Sequence, residues 1–247
     1  MNFFSLFKRN IIYKLKKKIS IDKNNLLESS LDDLFHYYGS DKANVFKIEN
    51  REGHGYSKFY IKHLDHLKNK QINILEIGSY AGASAAAFAK YFSKANIFCF
   101  DVNISNFKYE SKKISVYGID INNKKNVKKI LNEIFEKNQF SFFDLIIDDG
   151  SHYLSDILFS LNFFFKFVKE NGIFIIEDFK HPNYYPYNRN IDHILMDEFL
   201  KNLSNKKISY SSIINNQDQK NLIDSIKNID IGKGNLKDSD ICFIKKK

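Results

Sequence analysis

Residues 143–152 read FDLIIDDGSH, and a later apolar run closes on Glu177-Asp178. Both acidic clusters therefore fall at the carboxyl ends of strand-like segments, the edge at which open α/β sheets bind ligands. Three carboxylates brought together there, Asp149, Glu177 and Asp178, repel one another unless a positive charge neutralises them. A divalent cation taking oxygen ligands, Mg or Mn, meets that need. His152 follows Asp149 by three positions, and its imidazole titrates near neutrality, so it is a candidate general base. Asp148 and Asp149 are adjacent on a strand and point to opposite faces. One of the two therefore has a different role, capping the next helix or meeting a ligand's amine. Ser151 is a candidate helix N-cap.

A second constellation lies upstream. Residues 74–84 read ILEIGSYAGAS, a strand followed by a glycine turn. The turn has the pattern G-x-x-x-G and lacks the middle glycine of the dinucleotide fingerprint, which favours a ligand without pyrophosphate. The next apolar run ends at Asp101, where a carboxylate can accept from both ribose hydroxyls of an adenosine-containing ligand. Asp120 closes a third run and is placed to accept from an adenine amino group.

These residues need a parallel sheet to position them. Apolar runs stand near 72–78, 96–101, 114–119, 143–149 and 172–177, with helical stretches near 83–93, 123–138 and 154–169 between them. That alternation predicts an α/β fold, a Rossmann-like, doubly wound, mostly parallel seven-stranded sheet with helices on both faces and an N-terminal helical extension. A helix is expected over 26–38, ending at Gly39, another near 57–68 and another near 191–203. β-like runs are expected near 207–214, 227–231 and 240–245. The domain reading is a basic amphipathic helix over 1–25, a helical cap with a cofactor-proximal segment over 26–70, and a catalytic domain over 71–247.

YGSDKA, GHGYSKFY, DDGSH and IIEDF, together with ILEIGSYAGAS, Asp101 and Asp120, resemble the metal-dependent sugar O-methyltransferases of the class I S-adenosylmethionine-dependent methyltransferases. That family includes enzymes of macrolide-sugar and surface-polysaccharide type. The resemblance runs from about Tyr38 to Phe179. It implies Asp149, Glu177 and Asp178 as magnesium ligands, His152 as the base, and Asp148 on the cofactor amine. The expected cofactor-binding set is Glu76, Gly78, Ser79, Tyr80, Gly82, Ser84, Asp101, Asp120 and Asp148, with Tyr56 from a family segment near the cofactor. A sugar hydroxyl is a poor nucleophile, whereas a sulfonium methyl is already activated. The protein's task is thus to position and deprotonate the hydroxyl, which a cation holding neighbouring hydroxyl oxygens assists.

The bulk properties narrow the alternatives. The 247 residues carry a formal charge of +9, but Lys8, Arg9, Lys14, Lys16, Lys17, Lys18 and Lys245 to Lys247 account for all of it, leaving 29 basic against 29 acidic residues. A neutral body and DDGSH after the fourth strand, where amine-methylating nucleic-acid enzymes carry Asn/Asp-Pro-Pro-Tyr/Phe, argue against nucleic acid as partner. The alternatives kept are an RNA or natural-product methyltransferase and a non-catalytic cofactor-binding partner. The substrate expected is a small-molecule sugar, nucleotide-linked or a glycoside.

Cys99 and Cys242 sit in apolar runs without disulfide or zinc spacing, as expected of buried thiols in a reducing compartment. No run of 18 apolar residues spans a membrane, and the N-terminus lacks a long apolar segment with a small-residue cleavage site. The expected location is the cytoplasm. Phe3, Phe7, Ile11, Leu15 and Ile19 recur every four residues among lysines. Such stripes more often bury against protein, the chain's own domain or a second subunit in a homo-oligomer. The alternative is peripheral contact with an anionic membrane through residues 1–20, at its inner face. The loop 180–190 carries three tyrosines and both prolines, suited either to stacking on a ligand or to packing on the sheet.

Overall fold

The computed structural model describes residues 3–23 and 29–247. Seven strands form one mostly parallel sheet: β1 (Gln71–Ile77), β2 (Lys94–Asp101), β3 (Ile114–Gly118), β4 (Phe143–Asp148), β5 (Val168–Ile176), β6 (Ile226–Lys233) and β7 (Asp240–Lys246). Their order is β6-β7-β5-β4-β1-β2-β3. β1 with β2, β2 with β3, and β4 with β5 pair in parallel, while β7 runs antiparallel to both β5 and β6. Ile74, Leu75, Ile97, Phe100, Leu145, Ile146, Phe174 and Ile175 are all fully buried. Unbroken apolar runs of this kind, rather than alternating ones, are what a parallel sheet with helices around it requires.

The chain divides into two compact units, Met1–Phe140 with Gly234–Lys237, and Ser141–Lys233 with Asp238–Lys247. In the first, α4 (Ala83–Tyr91) follows β1 and buries Ala85, Ala86 and Ala87, whose small side chains allow close approach. α2 (Leu31–Tyr38) starts where Ser30 and Asp33 form a reciprocal capping box and ends at Gly39 with φ 77°. The expected helix over 26–38 is therefore shorter in its described part, and residues 26–28 of that expectation lie outside the described residues. Phe35 of α2 meets Phe88 of α4 edge-on at 5.4 Å, and both contact Tyr60 of α3 (Ser57–Leu64).

The first unit also holds α5 (Lys124–Asn138); in the second unit, α6 (Leu154–Phe164) joins β4 to β5, and α8 (Met196–Ser204) stands for the helix expected near 191–203. The run 207–214 forms no strand, contrary to expectation. It is a loop leading into α9 (Asn216–Ser225), a helix the sequence pattern did not suggest. The reason is Gln219, fully buried: its amide nitrogen donates to the carbonyls of Ser209 (2.7 Å) and Ile214 (2.9 Å), and its oxygen accepts from the Ser209 amide (2.8 Å). One side chain thus satisfies the backbone groups that a strand ladder would otherwise pair.

α1 (Phe3–Leu15) lies on the first unit by its polar side. Arg9 donates to the Val102 carbonyl (3.1 Å), and Lys16 donates to those of Ser105 (2.9 Å) and Asn106 (3.2 Å). Asn10 reaches the Gly118 carbonyl, and a Cβ at Gly118 would collide with the end of the Asn10 side chain, which would have to swing aside and give up that bond.

Candidate active site

In the first unit, the end of β1 and the turn after it hold most of the expected cofactor set. Glu76 is buried and accepts from the Ser84 hydroxyl. Gly78 (φ 86°) gives its amide to the Phe100 carbonyl at 2.8 Å. Gly82 (φ 77°) caps α4, and an added Cβ would lie 2.5 Å from the Phe107 ring. Between the glycines, the Ser79 hydroxyl donates to the Glu76 carbonyl. Tyr80, left-handed at φ 42°, donates its amide to Asp101 Oδ2 at 2.8 Å. Asp101 Oδ1 accepts from the Asn103 amide at 2.5 Å. A carboxylate offers about four acceptor positions, so Asp101 is oriented by two amides and keeps capacity for two ribose hydroxyls. Asp120 is half-buried and accepts from the Asn122 amide.

Two segments noted in the sequence, Asp41 to Ala43 and Gly53 to Tyr56, pair with each other. The amides of His54, Gly55 and Tyr56 donate to the carbonyls of Asp41 (2.7 Å), Ala43 (3.0 Å) and Lys42 (2.8 Å). Tyr56 is fully buried, and its ring lies 5.2 Å from that of His54.

The second unit holds the acidic cluster. Asp148 ends β4, and its carbonyl accepts the Glu177 amide at 2.9 Å, which ties the two acidic segments together. Single ligand atoms of Asp149, His152 and Asp178 lie within 4.8 Å of one another, all partly or fully buried. His152 Nε2 is 3.7 Å from Asp149 Oδ1 and 4.0 Å from Asp178 Oδ2. Two carboxylates and an imidazole form a donor set that suits a divalent cation. Glu177, expected beside Asp178 as a ligand, is buried and is not in this three-residue group. His152 (φ 57°) and Asp178 (φ 50°) are left-handed, as is Tyr80. Such conformations cost of order 1–3 kcal/mol each and persist where the surroundings over-determine them.

Asp148 sits apart from that trio. Its Oδ1 accepts the Gly150 amide at 3.2 Å, while Oδ2 is buried without a hydrogen bond. Burial pushes its carboxyl up to about 7; the nearby Ser160 hydroxyl, outside hydrogen-bonding geometry, opposes this, and the Asp149 charge adds to it. Ser151 does not cap α6. It donates to Asp156 at 2.6 Å, and the cap position belongs to Tyr153.

One residue that sequence reasoning did not single out joins this cluster. His181, at the start of α7 (His181–Tyr184), donates its amide to the Asp178 carbonyl, and its ring lies 5.3 Å from that of His152. Asn188 bonds its Nδ1, Asp238 Oδ2 lies 3.9 Å from its Nε2, and Tyr185 packs 4.1 Å away. The Tyr185 hydroxyl donates to Asp238 (2.8 Å), and that of Tyr184 to Asp240 (2.9 Å). Two of the three loop tyrosines thus tie the loop to the start of β7 and the residues before it, while Tyr187 remains 66% exposed. The available signal was position alone: a histidine one turn beyond Asp178. Cys99 and Cys242 are buried, and burial raises both thiols, leaving them unreactive.

No protein-family profile matches the chain. It is 26% identical over 132 residues to demethylmacrocin O-methyltransferase of Streptomyces fradiae, covering 51% of this chain and 32% of that protein. To mycinamicin VI 2''-O-methyltransferase of Micromonospora griseorubida it is also 26% identical over 132 residues, 51% of this chain and 31% of that protein. These matches span about a third of the length of these relatives. Among solved structures it is similar to the MycE methyltransferase from the mycinamycin biosynthetic pathway, in complex with Mg, SAH and mycinamycin VI. That likeness has a TM-score of 0.67 at 19% identity and covers 88% of this chain and 54% of that one. The chain has a methyltransferase fold of class I type. Its resemblance is to the macrolide-sugar O-methyltransferases.

Proposed function

We propose that this chain is an S-adenosylmethionine-dependent O-methyltransferase that uses a divalent cation and acts on the hydroxyl of a sugar, either nucleotide-activated or in a glycoside. The observation that carries the reading is the convergence of Asp149, His152 and Asp178 at the carboxyl ends of β4 and β5. The named relatives and the MycE complexes support the same chemistry. The resemblance of DDGSH and IIEDF to a family that includes surface-polysaccharide enzymes supports a polysaccharide sugar as one substrate class, beside the macrolide sugars of the named relatives.

The cation, when bound by Asp149 and Asp178 with Glu177 beside them, would orient neighbouring hydroxyls of the sugar and acidify the reacting one. The other steps belong to the chain. The turn from Gly78 to Gly82 and the Asp101 carboxylate hold the methyl donor, and Asp120 accepts from its adenine amino group. Asp148 receives the donor's ammonium. His152 Nε2 takes the hydroxyl proton. The sugar oxygen forms its bond to the methyl carbon as the carbon–sulfur bond breaks, and that electron pair stays on sulfur. Asp149 and Asp178, each within 4.0 Å, compensate the imidazolium.

A second role for His152 has its own support, since a ring nitrogen of this residue completes the three-residue ligand set. As a ligand it would hold the cation rather than take the proton.

The test is incubation with methyl donor, magnesium and a panel of nucleotide-sugars, glycosides and macrolide glycosides, read by mass spectrometry. A sugar product 14 mass units heavier is expected, abolished by chelation and restored by magnesium or manganese. Undiminished turnover after rigorous metal removal, or methylation of RNA in place of any sugar, would overturn the reading.

A further inference from the structure

Helix α1 presents to solvent the side that an amphipathic helix normally hides. Its 13 residues carry no acidic side chain, and none occurs anywhere in residues 1–20. The polar side, through Arg9, Asn10 and Lys16, is bonded to backbone carbonyls of the first unit. Tyr13 shares that side, meeting Phe107 edge-on at 6.3 Å. The apolar side is largely exposed: Phe4 is 77% exposed, Phe7 57%, Ile11 42% and Leu15 82%, with Phe7 and Ile11 also edging a groove shared with Ile104, Val116 and Tyr117. Lys8 and Lys14 flank that arc on the 3.6-residue period, Lys17 follows it, and all three are exposed.

This arrangement is the reverse of a helix that packs by its apolar face. Polar groups have been spent on anchoring the helix, and apolar ones are left in water at a cost of about 25 cal/mol per Å2. An exposed apolar stripe with cations at its margins matches a surface that is apolar a few ångströms down and negatively charged above. A second copy of the chain fits less well, because helix on helix would juxtapose cations with no acid between them.

We propose that α1 docks the protein on an anionic lipid bilayer, lying in the interfacial plane with Phe4, Phe7, Ile11 and Leu15 inserted and Lys8, Lys14 and Lys17 at the lipid headgroups. Helices of this type bind by combining apolar burial with attraction to anionic lipid. The bonds from Arg9 and Asn10 of α1, and from Lys16 just after it, to Val102, Gly118 and Ser105 tie the docked helix to the chain beside Asp101 and Asp120. The inference is independent of the reaction proposed above.

The experiment is sedimentation of the full chain with vesicles of phosphatidylcholine alone and of phosphatidylcholine with phosphatidylglycerol. Binding to the anionic vesicles only is expected, weakening as salt rises. Each lysine near the surface contributes about five-fold to partitioning, so Lys8→Gln/Lys14→Gln/Lys17→Gln should weaken binding about a hundred-fold. Phe7→Ser/Ile11→Ser/Leu15→Ser should abolish it. Both variants change exposed side chains, and unchanged far-ultraviolet circular dichroism and melting would show that they remain folded. If the folded wild type sediments with neither vesicle, or if the lysine variant binds as tightly as the wild type, the proposal fails. It fails equally if ultracentrifugation without lipid shows a dimer that the apolar variant dissociates, for the stripe would then be a contact between copies.

Discussion

The rings of His152 and His181 lie 5.3 Å apart, centroid to centroid, tilted by 41°. His181 is itself fixed by Asn188, Asp238 and Tyr185, so a chain of side chains from the residues just before β7 braces the proposed base.

That relationship predicts a positioning role for His181. Residues that orient a site without touching the reacting atoms typically cost 10- to 100-fold in activity when removed. His181→Ala should therefore lower kcat by about 10- to 100-fold, with donor affinity unchanged by calorimetry. Asp238→Asn should show a smaller loss of the same kind. If His181→Ala instead leaves kcat intact and only lowers the melting temperature, the brace is merely structural.

His152→Ala separates the two roles open to that residue. As general base, its removal should lower turnover by about 100- to 10,000-fold while metal affinity is kept. As ligand, its removal should weaken metal binding, measured by calorimetric titration of magnesium or by manganese paramagnetic resonance. Near-normal turnover in a folded variant would remove His152 from the mechanism.

Asp148 predicts a pH dependence of stability in the ligand-free, chelated protein. Its folded pKa, raised to about 7 by burial, lies above the unfolded value of 3.8. The folded state therefore holds a proton that the unfolded state has lost between those values, and stability falls as pH rises through that window. The penalty is fully present above about pH 7. Asp148→Asn should raise Tm more at pH 8 than at pH 4, by roughly 2–4 °C for each kcal/mol recovered. An equal shift at both pH values would contradict the assignment.

Gly82→Ala tests the turn between β1 and α4. The position has φ 77°, and the new methyl would meet the Phe107 ring at 2.5 Å. Destabilisation by about 1–3 kcal/mol is expected in denaturant melts, from the combination of strain and overpacking. Donor affinity should fall with it, because the same turn orients Tyr80 and Asp101.

The sequence by itself determined the alternation of strands and helices, because parallel strands buried on both faces must be written as unbroken apolar runs. It determined the acidic strand ends for a related reason: polar residues that interrupt such runs at the sheet's binding edge stand out against the apolar background. The glycine turn was legible because positions such as Gly78 and Gly82 demand a backbone that other residues adopt at a cost. The tertiary structure decided what depends on contacts between distant segments. Gln219 turned a β-like run into a loop by satisfying its backbone from ten residues away. The pairing of Asp41–Ala43 with Gly53–Tyr56, and the arrival of His181 beside His152, have no periodicity to announce them. The side of α1 that faces the protein was likewise beyond the pattern of its residues. Hydrophobic spacing marks an apolar stripe, whereas hydrogen bonds from Arg9, Asn10 and Lys16 to carbonyls some ninety residues or more away settled that the stripe faces water.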